Sequence, residues 1–62
     1  MNNLSLREIQ SIVELARCEN LVAAKAQAFR PILADPALGS LNQEIEDDAE
    51  HRVRGLEELI RR

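Results

Sequence analysis

The sequence predicts an all-α protein: an antiparallel two-helix hairpin, about residues 5–34 and 36–61, that pairs with a second copy as a four-helix bundle. Three observations predict it. Apolar residues recur at helical spacing along two long segments. The segments meet at one short break, Asp35-Pro36. Hydrophobic residues make up 45% of the chain but aromatic ones only 2%, so the packing material is Leu, Ile, Val and Ala, which suits helices and is poor for a sandwich or barrel.

The first helix begins at Ser5. Its hydroxyl can accept from the Glu8 amide while the Glu8 carboxylate accepts from the Ser5 amide, the S-x-x-E capping box. Leu4 and Ile9 occupy the positions of a hydrophobic staple around that start. At about 100° per residue, Ile12, Leu15, Val22, Ala26, Phe29 and Leu33 form one stripe, flanked by Ile9, Ala16 and Ala23. Pro31 lacks an amide hydrogen and crowds the preceding turn, which predicts a kink there or a helix end near Arg30. Asp35 is placed to cap the second helix, with Pro36 at its first position where the missing amide does no harm. Gly39-Ser40 leaves a second start at Ser40 open. Helix two then carries Leu38, Leu41, Ile45, Ala49, Leu56, Leu59 and Ile60 on one side. So short a connection makes the helices antiparallel neighbours.

The 62 residues are expected to form one unit, 1–62, with no second domain. Ordering such a chain costs on the order of 90 kcal/mol at roughly 1.5 kcal/mol per residue, and small chains offset it with disulfides, metals or partners. The single cysteine closes no intrachain bridge. One hairpin shares a single line of contact, so part of each stripe stays wet, and a twofold homodimer is the economical remedy. Ile12, Leu15, Val22, Phe29, Leu41, Ile45, Leu56 and Leu59 are the expected core and dimer-packing residues. The net charge of -3 and the scattered basic residues argue against a nucleic-acid partner. No apolar run is long enough to span a bilayer and the N-terminus lacks a signal-peptide pattern, so synthesis in the cytoplasm and no membrane partner are expected. Cys18 is expected as an inert thiol buried at the core edge, with an intermolecular disulfide left open.

Polar residues interrupt the stripes. Glu19 projects close to Leu15, Asp48 and Arg52 lie beside Leu41 and Leu59, and Glu44 and His51 sit on the adjoining flank. Glu19 and Arg52 are nearly equidistant from the turn at Pro36, which predicts an interior cluster of Glu19, Asp48, His51 and Arg52. Three readings compete for it. One is an ion-pair network that fixes helix register and dimer pairing. Another is an iron or manganese site, since Glu19 with Asp48-x-x-His51 mimics half of a ferritin-like carboxylate centre, although Arg52 adds a fixed positive charge. In the third, His51 simply faces solvent. The acidic run Glu44, Glu46, Asp47, Asp48 and Glu50 reads as a solvated and partly interfacial surface. Ser5, Ser11 and Ser40 lie far from His51 along the helices, and no phosphate-binding loop occurs, so no enzyme is expected.

Taken in order, the opening Asn3-Leu4-Ser5-Leu6-Arg7-Glu8-Ile9, the Glu19-Asn20-Leu21 step, the Asp35-Pro36-Ala37-Leu38 turn, and His51 followed by Leu56 and Leu59 resemble the small coat-F-type spore coat proteins of endospore-forming bacteria. Asp48 stands where that family's first His falls, and Ala37 where its turn Glu falls. The resemblance implies a ferritin-like helical hairpin with a structural role in the spore coat, no catalysis, and other coat or assembly proteins as partners. Two alternatives stand beside it: a minimal di-metal carboxylate module binding iron or manganese through Glu19, Asp48 and His51, and a helical adaptor whose exposed stripe receives a partner helix.

Overall fold

A computed structural model describes residues 3–61. It contains two helices, α1 (Leu6–Phe29) and α2 (Pro36–Arg61). They lie antiparallel, as the bonds from Arg52 to Glu19 and from Asn42 to Ala26 require.

Local chemistry accounts for each end. The Ser5 amide donates to Glu8 Oε1 at 3.0 Å and the Glu8 amide to Ser5 Oγ at 3.1 Å, so both halves of the capping box are formed. Leu4 and Ile9 are both half-buried beside it. At the other end Pro31 stops α1 outright. The Arg30 amide is shared between the carbonyls of Ala26 and Gln27, at 3.2 and 3.3 Å, and Ile32 and Leu33 then donate back to the Phe29 carbonyl at 2.9 and 3.2 Å. The expected helix to residue 34 therefore ends at Phe29, because the tightened turn satisfies the last carbonyls without a Pro31 amide. Asp35 caps α2 through Oδ1, which accepts from Ala37 at 2.8 Å and from Leu38 at 3.2 Å. The Gly39 amide donates to the Asp35 carbonyl at 2.9 Å, so α2 runs unbroken from Pro36 and no second start forms at Ser40.

The line of contact between the helices differs from the predicted stripes. On α1 the inward residues are Ile9, Ile12, Ala16, Glu19, Ala23 and Ala26; on α2 they are Gly39, Asn42, Glu46, Ala49, Val53, Leu56 and Ile60. Both sets alternate in steps of three and four, the spacing of a coiled-coil seam. Ala16, Ala23, Ala26, Gly39 and Ala49 among them are small, which lets the backbones approach at those levels. The large side chains assigned to the packed stripes lie one position further round: Leu15, Val22, Phe29, Leu38, Leu41, Ile45 and Leu59 are 37–54% exposed. Of the eight expected packing residues Ile12 is buried and Leu56 half-buried within the chain. The buried apolar residues among those described are Ile12, Ala23, Ala26 and Ala49, with Ala49 fully enclosed.

The hairpin is a rod 46 Å long and 15 by 11 Å across. One layer of two helices has no second layer to cover its flank.

Candidate functional site: the exposed apolar face

One face of the rod gathers seven exposed large apolar residues from both helices, Leu15, Val22, Phe29, Leu38, Leu41, Ile45 and Leu59, whereas Leu6, Val13, Leu21 and Ile32 are exposed but line none of its clefts. Towards the turn, Phe29 at the end of α1 and Leu33 in the connection meet Leu38, Leu41 and Ile45 of α2 around a shallow cleft. A second cleft continues it along Val22, Lys25, Phe29 and Ile45. Towards the open end the face turns mixed, with Leu15, Glu19, His51, Arg52, Gly55 and Leu56 lining a third cleft. On α2 the face residues Leu38, Leu41, Ile45, Asp48, Arg52, Gly55 and Leu59 again alternate in steps of three and four, one residue out of phase with the seam. Its turn half is a contiguous exposed apolar patch on a small chain.

Behind the face, polar side chains fix how the helices meet. Glu46 lies within the seam, its side chain only 6% exposed. Gln27 Nε2 donates to its Oε1 at 3.0 Å, and the Arg30 guanidinium pairs with its Oε2. Those bonds, from Arg30 first and Gln27 second, hold the Glu46 carboxyl below its ordinary range against the opposing effect of burial. Asn42 Nδ2 donates to the Ala26 carbonyl at 2.7 Å, supplying a partner to one of the last carbonyls of α1. Halfway along the rod Arg52 Nε donates to Glu19 Oε2 at 2.7 Å. Among the described residues no buried side-chain nitrogen or oxygen lacks a partner, so the polar seam is internally satisfied.

Only part of the predicted polar cluster assembles. Glu19 and Arg52 pair as their equal distance from the turn implies, whereas Asp48 and His51 are exposed. Glu19, Asp48 and His51 do not converge: among the described residues no three His, Cys, Asp or Glu side chains form a group able to hold a metal ion. Asp48 and His51 sit on the outer face, His51 lining its third cleft, a rotation away from the seam that Glu19 enters. Cys18, expected as buried, is exposed on α1.

Glu46, expected within a solvated and partly interfacial acidic run, is the one member of that run buried in the seam, while Glu44, Asp47, Asp48 and Glu50 are exposed. A signal for it was present. Counting back from Ile60 through Leu56, Val53 and Ala49 in steps of four and three arrives at Glu46 and then Asn42. The large leucines at positions 38, 41 and 59 outweighed that fainter register.

The depressed Glu46 carboxyl gives a pH prediction. Its folded-state affinity for protons lies below that of the unfolded chain, near pH 4.3, so its contribution to stability is complete above that pH and is lost as pH falls through the folded value. The Glu8 carboxyl, lowered chiefly by the Ser5 backbone amide, acts in the same direction. Urea melts at fixed protein concentration between pH 7 and 3 are expected to show stability falling below about pH 5. Glu46→Gln is expected to be less stable than the parent at pH 7 and to lose less on acidification. Parallel pH profiles for the two proteins would remove Glu46 as a source of the acid sensitivity.

Among the described residues no helix is long and apolar enough to cross a membrane. No protein-family model, curated protein or solved structure matches the chain. The fold and the face together define a class, a small all-α hairpin with a satisfied polar seam and one uncovered apolar side.

Proposed function

We propose that this chain is a structural assembly module that pairs through its apolar face with a second copy, completing a four-helix bundle. The observation that carries the proposal is the excess of uncovered surface. The accessible area is 4917 Å², whereas a compact monomer of 7.0 kDa exposes about 4,000 Å². The surplus, about 900 Å², is close to the roughly 800 Å² that each partner contributes to a standard stable interface. The four buried apolar side chains, three of them alanine, supply little hydrophobic stabilisation to the isolated hairpin.

Function then resides in the pairing itself, with no bond made or broken. The resemblance to coat-F-type proteins adds a setting, the endospore coat; the assembly reading rests on the face alone. Sedimentation equilibrium from low to high micromolar concentration is expected to give the mass of two chains, with a thermal midpoint that rises with protein concentration. A fully helical monomer throughout that range contradicts the proposal. A monomer that binds an unrelated helix at the same face turns it into the adaptor reading.

A further inference from the structure

We infer that the second copy docks with its turn at the same end as the turn of the first, so that α1 of each chain lies against α2 of the other and Lys25 of each comes within one turn of Asp48 of the other. This rests on the self-association proposed above and specifies its geometry.

The apolar face is unevenly filled along its length. Its turn half carries Val22, Phe29, Leu38, Leu41 and Ile45, while its open half carries Asp48, Arg52 and Gly55 between Leu15 and Leu59. The bonds that join Asn42 to Ala26, Glu46 to Gln27 and Arg52 to Glu19 fix which residues of α1 and α2 share a level on the rod. By that register Phe29 is level with Leu41, and Leu15 with Gly55. Lys25 lies within one turn of Asp48.

A twofold axis parallel to the rod preserves those levels and brings each residue of α1 opposite the residue of α2 beside it. Phe29 then packs on Leu41 of the second copy. Leu15 meets Gly55, where nothing in its own chain lies within 4 Å of an added Cβ and there is room for a neighbour. Lys25, level with Ile45, comes within one turn of Asp48 of the second copy, and each is exposed without an ion-pair partner among the described residues. Each contact occurs twice by symmetry.

A twofold axis across the rod places α1 on α1 and α2 on α2 with the turns at opposite ends. Full overlap then sets Phe29 over the Ser11 region and Lys25 over the Leu15 region, exchanging apolar contacts for polar ones. It does bring Asp48 near Arg52 of the second copy. Arg52 is already engaged by Glu19 at 2.7 Å in its own chain, so that pairing offers less than one between two unengaged charges. The same-end arrangement packs Phe29 on Leu41 at the turn half and brings the two free charges within one turn of each other.

Two experiments on the full chain test the inference. Spin labels are placed at the exposed Ala34 by Ala34→Cys in a Cys18→Ser background, and the distance between copies is measured by pulsed electron resonance. Same-end docking gives a separation on the order of two helix diameters, about 20–25 Å; opposite-end docking gives one near the 46 Å length of the rod. Separately, Lys25→Glu and Asp48→Lys are each expected to weaken self-association on the order of tenfold, and the double reversal to restore it. Both positions are exposed, so the variants fold as the parent does. A long distance, or a double variant no tighter than either single one, overturns the docking mode while leaving a dimer in sedimentation. A monomer in sedimentation overturns the self-association beneath it, so the two failures are separable.

Discussion

If the chain pairs as proposed, replacing Ile45 with Arg is expected to convert that dimer to a monomer at concentrations where the parent pairs. Ile45 is 43% exposed in the single chain and lines both apolar clefts of the turn half, so it sits at the centre of the proposed contact. A central anchor in a desolvated interface carries about 2–4 kcal/mol, which corresponds to a dissociation constant raised roughly 30- to 1,000-fold. The twofold symmetry places two arginines in one interface, each desolvated without a partner. A hairpin with four buried apolar side chains has little to keep it folded alone, so helical signal is expected to fall with the loss of pairing. Ala24→Arg makes the same charge change at an exposed position on the far side of α1 and is expected to leave association within twofold of the parent. Sedimentation and far-ultraviolet circular dichroism of the two variants decide the matter. Equal association for both removes the apolar face as the contact.

The second large effect is expected at a residue with almost no side chain. Ala49 is 0% exposed, and it sits where α2 passes the small residues of α1 around Ala23. Ala49→Leu inserts three carbon atoms into that contact and must push the helices apart or force a strained rotamer. Overpacking of this kind costs about 1–3 kcal/mol, and for so short a chain that lowers the thermal midpoint by roughly 5–20 °C. Separation of the helices also lengthens the Glu46 bonds to Gln27 and Arg30, which span the same seam. Ala28→Leu makes the same change at an exposed position of α1 and is expected to move stability by no more than about 0.5 kcal/mol. Melting both variants at one concentration separates a steric effect from one of helix propensity, since leucine and alanine are both good helix formers. A stable Ala49→Leu protein would mean that the helices are not in close contact at that level.

These two positions show where the sequence was legible and where it was not. The capping box at Ser5, the stop before Pro31 and the Asp35 cap each depend on groups within four residues, so their chemistry can be recognised without knowing the fold. The pairing of Glu19 with Arg52 was also accessible, because a hairpin fixes which residues lie equally far from its turn. Asp48 and Glu46 were misplaced, and His51 was left open between the cluster and solvent, for one shared reason. On α2 two heptad stripes run side by side, one through Asn42, Glu46, Ala49, Val53 and Leu56, the other through Leu38, Leu41, Ile45, Asp48 and Arg52. They differ by a rotation of about 100°. Hydrophobicity favours the second, which holds the larger side chains.

What the sequence determined by itself is the pair of helices, their ends, the turn between them and the presence of more apolar surface than one hairpin can cover. Only the tertiary structure decided which stripe each helix turns to its neighbour. The small stripe wins because Ala23, Ala26 and Ala49 permit close backbone approach while Arg30, Gln27 and Asn42 satisfy the polar groups drawn inside with them. The large stripe is thereby left outward, and the surface that size alone marked as core becomes the face through which the protein is proposed to assemble.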